Sequence, residues 1–168
     1  MPSIPQILLR SLQFVCVVIV TGLVAGAIHI QHKFNDSVNY AMFTAVFSWL
    51  VVIYGFAAAF VESLAHPIIL LVLDGLAIMF NFIAGVTLAA RLHVHSCSNP
   101  NYINHNDLAQ GITRRCRELQ AATAFFWFAF ALFAASLVLD FLGRGSSVGV
   151  RRGGGGGARK VAPSMSQV

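Results

Sequence analysis

Asp74 is the residue most able to carry chemistry, because it is the only acidic residue well inside a long apolar stretch. A carboxylate within a bilayer is costly, so it is by default a functional hypothesis, here a proton relay or an ion path. A relay needs several titratable groups in series, and the sequence suggests no second acid, His, Lys or Arg deep in a span. We therefore favour a hydrogen-bonded structural layer around Asp74.

The predicted partners of Asp74 follow from helical periodicity and depth. Asn81 falls on the same small and polar helix face as Asp74, and this face should point into a bundle. With both termini on one side of the membrane, the rise of the helices places Gln13, Tyr54 and Ser136 near the level of Asp74. Loss of one hydrogen bond in a membrane costs about 0.6 kcal/mol on average, so Asp74→Asn is expected to be mild.

A second group of reactive side chains lies in one loop. His93, His95 and Cys97 form an H-x-H-x-C run, and Cys116 follows in the same loop. These four could supply a tetrahedral zinc site, but the spacing is a weak match to known zinc motifs. An outward-facing loop is oxidising, and a disulfide between the two cysteines is the favoured prediction. The sequence contains no motif of a hydrolase, metalloprotease or nucleotide-binding enzyme, and no metal or catalytic site is predicted.

The amino-acid composition indicates which class of protein contains these residues. Hydrophobic residues make up 57% of the 168 residues and charged residues only 10%, with a mean hydropathy of +0.75. A soluble domain carries about 25% charged residues. The composition excludes a soluble enzyme, a disordered protein and a nucleic-acid binder. The net charge of +5 arises from loops and the C-terminal tail, which indicates a membrane surface as partner.

Stretches without charged residues predict an all-α integral membrane protein, a bundle of four transmembrane helices. About 20 apolar residues are needed to cross the hydrocarbon. The spans are placed near 8–29, 40–61, 67–90 and 119–142, which makes residues 1–142 one membrane domain. Positive charges barely distinguish the two sides of the membrane. The cysteine pair and the basic tail favour both termini in the cytoplasm.

The first span has an alternative interpretation. Arg10, an apolar run and the small residues Ala25, Gly26 and Ala27 together resemble a cleaved secretory signal. The apolar run continues beyond this point, and two glycines spaced for helix contact lie within it. An uncleaved anchor is therefore the favoured prediction.

The tail, residues 143–168, is predicted to be a disordered cytoplasmic segment, because nothing in it can bury a core. It contains five consecutive glycines, and its basic residues are expected to attract anionic lipid. These residues are Arg144, Arg151, Arg152, Arg159 and Lys160.

Pairs of small residues four positions apart predict close helix approach. Such pairs either pack one bundle or join copies into a homo-oligomer. Lateral self-association is predicted, because the small-residue faces and the lipid-exposed aromatic residues exceed what one four-helix bundle needs. The pairs are Gly22 with Gly26, Gly55 with Ala59, and Ala131 with Ala135.

An aromatic cluster surrounds the fourth span. The simplest interpretation of this cluster is nonspecific contact with lipid. The more specific hypothesis is a surface that binds a sterol or a sphingolipid. The cluster comprises Phe125, Phe126, Trp127, Phe128, Phe130 and Phe133.

Several strings along the chain resemble one family, the fungal non-classical export proteins with a MARVEL domain. The strings are QH at 31–32, VNYAMF at 38–43, F-x-E-x-L-A-x-P at 60–67, L-D at 73–74, A-G at 84–85, HSC at 95–97, Q-G at 110–111, RCR at 115–117, QAA at 120–122 and the final SQV. The resemblance covers nearly the whole chain, with departures at His66 and in the glycine-rich tail. It implies a four-span bundle and brings no catalytic residue.

The resemblance further implies a function. It suggests an organiser of plasma-membrane microdomains of the eisosome type, with eisosome-associated partners, a response to sphingolipids and a link to unconventional secretion. A non-enzymatic organiser is the leading hypothesis. The alternative is a small oligomeric transporter or channel that uses Asp74 and Asn81, although the inverted repeats and broken helices of many transporters are not seen.

Overall fold

A computed structural model describes residues 4–64, 66–93 and 97–152, and the regular structure in these ranges is helical. A 3₁₀ turn, Glu62–Leu64, connects the second and third helices. Four of the helices are long and apolar enough to cross a membrane. The helices are α1 (Ile4–His29), α2 (Asp36–Phe60), α3 (Pro67–Leu92), α4 (Pro100–His105) and α5 (Thr113–Arg152).

Local sequence signals determine where the helices begin and end. The Asn35 side chain accepts a hydrogen bond from the backbone of Ser37, which satisfies a free N–H at the start of α2. Pro67 occupies the first position of α3, where a missing N–H is harmless. His93 ends α3 by adopting a left-handed conformation with φ of 47°.

The four long helices form a ring in which each contacts two neighbours. α1 packs on α2 and α5, and α3 packs on α2 and α5. The core has two parts along the bundle axis. One part includes Val24, Leu88 and Phe126, and the other includes Val52 and Phe133. α1 is therefore an integral part of the core, as expected of an anchor rather than a cleaved signal.

The observed helices match the four predicted spans, but three of them begin earlier than predicted and the last also ends later. α1 and α2 begin four residues earlier than predicted, and α5 begins at Thr113 instead of 119. α5 also continues to Arg152, so the prediction of disorder from residue 143 is wrong for 143–152. Each residue added to an existing helix gains a backbone hydrogen bond, which explains how a helix extends past its packed part. Residues 153–168 lie outside the described ranges.

Candidate functional site

A buried ion pair between α1 and α3 is the principal polar feature of the bundle. Arg10 donates two hydrogen bonds to Asp74, from Nη1 to Oδ1 at 2.7 Å and from Nη2 to Oδ2 at 2.6 Å. The two side chains are 2% and 0% exposed. Such bidentate geometry is the strongest form of an arginine–carboxylate contact. Asp74 thus faces the bundle and is hydrogen-bonded within it, as expected, but its partner Arg10 was not among the predicted ones.

Two further residues complete the surroundings of the pair. Gln13, one turn after Arg10, accepts a hydrogen bond from Arg10 at 3.0 Å and donates to the carbonyl of Leu132 in α5 at 3.1 Å. Gly55 of α2 lies against the guanidinium, because a Cβ there would be 2.6 Å from Arg10 Nε. All four long helices thus meet at this site. Gln13 belongs to the layer, as predicted, but contacts Arg10 rather than Asp74.

Helix geometry shows how the missed partner could have been found. α1 begins at Ile4, so Arg10 lies about 9 Å along the helix axis, and Asp74 lies about 10 Å from the start of α3. The two helix starts are on the same side of the membrane, which places both charges at one depth. The sequence pattern indicates Arg10 as a charge that flanks the first span. Its actual position, about two turns inside α1, gives it the same depth as Asp74.

Gly55→Ala is expected to destabilise the protein by about 1–3 kcal/mol, the usual range for overpacking a filled core. The added methyl would displace the Arg10 guanidinium from its position against α2. Gly22→Ala is the matched control, because nothing lies within 4 Å of a Cβ at this helical glycine. Unfolding in detergent, followed by circular dichroism, gives both values. Equal stability of the two variants would contradict the close contact.

The other residues of the predicted polar layer do not join the ion pair. Asn81 donates to Ser48 Oγ at 3.0 Å and to the carbonyl of Ala77 at 2.8 Å, deeper in the bundle. Tyr54 donates to the carbonyl of Leu64 at 2.7 Å, at the end of α2. Ser136 is buried, and no hydrogen-bond partner of its hydroxyl is present in the described part of the chain. Tyr54 and Ser136 are thus wrong as predicted partners of Asp74.

The predicted disulfide is present at the opposite end of the bundle. Cys97 and Cys116 are joined, with their Cα atoms 5.8 Å apart, and both are buried. Because each sulfur is bonded to the other, neither is a thiolate ligand, and the zinc alternative is wrong. His93 is exposed at the end of α3, and His95 lies outside the described residues.

Hydrogen bonds from the loop close the end of α3. Tyr102 donates its hydroxyl proton to the carbonyl of Leu92, and Asn106 donates to the carbonyl of Arg91 at 3.0 Å. These are terminal carbonyls that a helix leaves without internal partners. Burial raises the pKa of Tyr102, and the hydrogen bond from Asn106 offsets part of this rise. The hydroxyl therefore keeps its proton and remains a donor.

Arg115 connects this loop to α1. It is fully buried and donates to the carbonyl of Leu108 at 2.6 Å and to that of Ala27 at 2.7 Å. Arg115 was not identified from its chemistry, although it lies in the RCR string of the family resemblance. The signal was its position beside Cys116, which the disulfide forces into the core.

The small-residue pairs divide between the interior and the outer surface. Gly26 lies against the Glu118 side chain and Gly55 against Arg10, so both are used within the monomer. Gly22, Ala131 and Ala135 lie on the outer surface, and Ala59 is half-buried.

The aromatic cluster of α5 divides in the same way. Phe126 and Phe133 are fully buried in the core, whereas Trp127 and Phe128 are exposed. Phe125 and Phe130 are half-buried. Only part of the cluster is therefore available to lipid.

The basic residues predicted to bind anionic lipid lie at and beyond the end of α5. Arg144, Arg151 and Arg152 belong to the helical end of α5, where the backbone is described. Arg159 and Lys160 lie outside the described residues, so binding of the tail to lipid stays a prediction.

The main charged and amide side chains of the bundle interior are bound to one another, and the outer surface of the spans is apolar. Within residues 4–64, 66–93 and 97–152, no three His, Cys, Asp or Glu side chains are placed to hold a metal ion. The outward faces of all four spans carry large apolar side chains. Examples are Leu12, Val18, Leu50, Ile53, Val72, Phe82, Val86 and Val138.

Comparisons with known proteins agree with this architecture. The model of the membrane-associating domain, MARVEL, matches residues 3–139. Non-classical export protein 2 of Saccharomyces cerevisiae is 37% identical, with 96% of each chain covered. Non-classical export protein 102 of Candida albicans is 39% identical over the full length of both chains. No solved structure matches significantly. With a shared four-span domain and end-to-end similarity to these proteins, the chain belongs to the MARVEL-domain family of non-classical export proteins.

Proposed function

We propose that this protein is a non-enzymatic organiser of plasma-membrane lipid microdomains, of the eisosome type. The observation that carries the proposal is the contrast between its interior and its exterior. Within the bundle Arg10 pairs with Asp74, and Asn81 donates to Ser48. The outer faces are apolar and present Trp127 and Phe128 to the bilayer. Such a molecule acts through its outer surface.

This contrast also argues against the transporter alternative. A path for ions needs polar groups directed at a water-filled space, and intramembrane charges in transporters serve such a path. Asp74 is instead fully buried and held by two hydrogen bonds from Arg10. Asn81 is buried and directs its amide at Ser48.

The disulfide supports the proposed topology. Stable disulfides form in oxidising compartments, and the bond between Cys97 and Cys116 therefore supports a loop that faces the outside of the cell. With four spans, such a loop would leave both termini in the cytoplasm. The basic tail would there meet anionic lipids, each basic residue near the surface contributing about 1 kcal/mol of attraction.

Lateral association of copies is part of the proposal. Gly22, Ala131 and Ala135 offer small outward-facing residues at which helices of another copy could approach closely. Sterol or sphingolipid at the exposed aromatics, and eisosome-associated proteins, are the other proposed partners. The names of the relatives, non-classical export proteins, add a role in unconventional secretion to the proposal.

Reconstitution of the full chain in liposomes tests this function against the alternative. Energy transfer between labelled copies is expected to rise when sphingolipid and sterol are added to phosphatidylcholine at a constant protein-to-lipid ratio. A pH-sensitive dye in the same liposomes is expected to report no proton flux above that of empty liposomes. Flux that disappears in Asp74→Asn liposomes would instead establish the transporter. Energy transfer that ignores lipid composition would contradict the organiser.

A further inference from the structure

A polar cavity of about 430 Å³ lies on the loop side of the bundle. It is formed between the segment that joins α1 to α2 and the segment that follows α4. Lys33, His32 and His105 line it together with Asp107 and several amide side chains. Neither the disulfide nor the intramembrane ion pair includes these residues, so the cavity is separate from both.

The backbone around this cavity is held in a fixed shape by Gln110. Its Oε1 accepts from the backbone of His32 at 2.8 Å and of Lys33 at 3.2 Å, and its Nε2 donates to the carbonyl of Lys33 at 2.8 Å. Gln110 itself has a φ of 52°, a conformation uncommon for residues other than glycine. The side chains of His32 and Lys33 therefore extend from a backbone segment that is already held in place. This preorganisation lowers the entropic cost of binding a ligand.

The charges in the cavity favour an anion. Lys33 carries a permanent positive charge and the two histidines can each add one, against the single carboxylate of Asp107. Phe34 lines the same cavity and is 87% exposed, directly before α2 enters the membrane. An exposed apolar ring beside the start of a span can contact lipid. We therefore consider lipid headgroups as well as anions in solution as ligands of the cavity.

The hydrogen bond of His105 determines how this residue can meet an anion. Its Nδ1 lies 2.7 Å from the carbonyl oxygen of Asn101, which can only accept, so Nδ1 carries a proton. In the neutral ring Nε2 is then an acceptor and repels an anionic oxygen. Nε2 can donate only when the ring is protonated.

We propose that this cavity binds a phosphate group and that His105 takes up a proton as the phosphate binds. Lys33 supplies the permanent charge, and protonated His105 supplies a charge-assisted hydrogen bond. Other charged and titratable groups facing His105 are Asp107, Arg91 and His93, the latter two across an adjoining cavity. The location of this cavity on the extracellular side of the membrane rests on the topology in the proposed function. The binding of phosphate by these residues does not depend on that topology.

Titration of the full chain in neutral detergent micelles tests the proposal. The probes are inorganic phosphate, glycerol 3-phosphate and short-chain phosphatidic acid. The dissociation constant is expected to be about tenfold lower at pH ~5.5 than at pH ~7.5, because only the protonated ring can donate a hydrogen bond from Nε2 to the phosphate. Calorimetry in buffers of different ionisation enthalpy measures the proton uptake directly.

Two variants and one control locate the site. Lys33→Gln is expected to weaken binding about tenfold at both pH values, because one charged contact is lost. His105→Asn is expected to reduce both the proton uptake and the pH dependence. Arg117→Gln is the control, since Arg117 is exposed on the same end of the bundle but lines a different cavity. Retained disulfide and helical circular dichroism establish that each variant is folded.

The outcomes separate the possible sources of the phosphate. Binding of the lipid alone, sensitive to Lys33→Gln, supports a lipid headgroup site, and binding of all three probes supports a site for free phosphate as well. Absence of binding at acidic pH, or binding unchanged in both variants, overturns the site. Wild-type proton uptake in His105→Asn overturns the role of His105. Binding is measured in micelles without sphingolipid or sterol, so its failure is distinguishable from failure of the lipid-dependent clustering in the proposed function.

Discussion

Asp74→Ala is expected to destabilise the protein by about 3–5 kcal/mol, the range found when one partner of a buried ion pair is removed. The variant leaves the Arg10 guanidinium buried, with Gln13 as its remaining side-chain hydrogen-bond partner. This expectation replaces the mild effect predicted for Asp74→Asn from the sequence, where Asp74 had no charged partner. The free energy of unfolding in mixed detergent micelles measures the change.

A double variant separates the ion pair from other effects of mutation. In Arg10→Leu with Asp74→Leu both charges are absent, and replacing a buried pair by apolar residues is often neutral or stabilising. The double variant is therefore expected to be more stable than Asp74→Ala or Arg10→Leu alone. Asp107→Asn is the matched control, because this carboxylate is exposed. Additive losses in the double variant would show that the two side chains do not interact.

Cys97→Ser together with Cys116→Ser is expected to lower stability by about 3 kcal/mol. The bond closes a loop with a sequence separation of 19 residues. In the chain-entropy model a loop of about this length contributes that amount by restricting the unfolded chain. Thermal unfolding of the double variant and of the wild type gives the difference, and Cys16→Ser, which changes only a free half-buried cysteine, is the control.

Alkylation of intact cells without reductant checks the same bond in its natural compartment. Neither Cys97 nor Cys116 is expected to be labelled, because both sulfurs are bonded. Full labelling of both cysteines would contradict the disulfide. It would also remove the support for cytoplasmic termini, since that topology depends on an oxidising environment around the loop.

The membrane-spanning helices were predictable because many consecutive apolar residues contribute to the hydropathy of each one. Four apolar stretches, each long enough to span the hydrocarbon, leave few alternatives for the fold. The disulfide was predictable for a different reason. Cys97 and Cys116 share a loop between two neighbouring spans, so the span ends must lie within one bundle diameter.

The ion pair was not predicted because it depends on a side chain reaching between helices. Arg10 lies near the start of α1, a position at which arginine commonly extends to the membrane surface. Here it turns inward because Gly55 leaves room for the guanidinium and Asp74 supplies the opposite charge. Three helices must be placed before this combination becomes visible.

The hydrogen bonds of Gln110 to the segment that joins α1 to α2 were also not predictable from the sequence. Gln110 is joined to Lys33, which is 77 residues distant in sequence, by hydrogen bonds to backbone atoms. Such bonds follow no pattern of residue types, because every residue other than proline offers the same backbone groups. The family resemblance singled out the Q-G string at 110–111 without indicating its contact.

Clustering of the Arg10→Leu, Asp74→Leu double variant in living cells tests most directly whether the protein acts through its outer surface. The variant keeps the apolar exterior and removes the only ion pair between spans within the described residues. Fluorescence microscopy is expected to show the folded variant in plasma-membrane clusters of the same number and size as the wild type. A folded variant spread evenly over the membrane would contradict an organiser whose polar interior is purely structural.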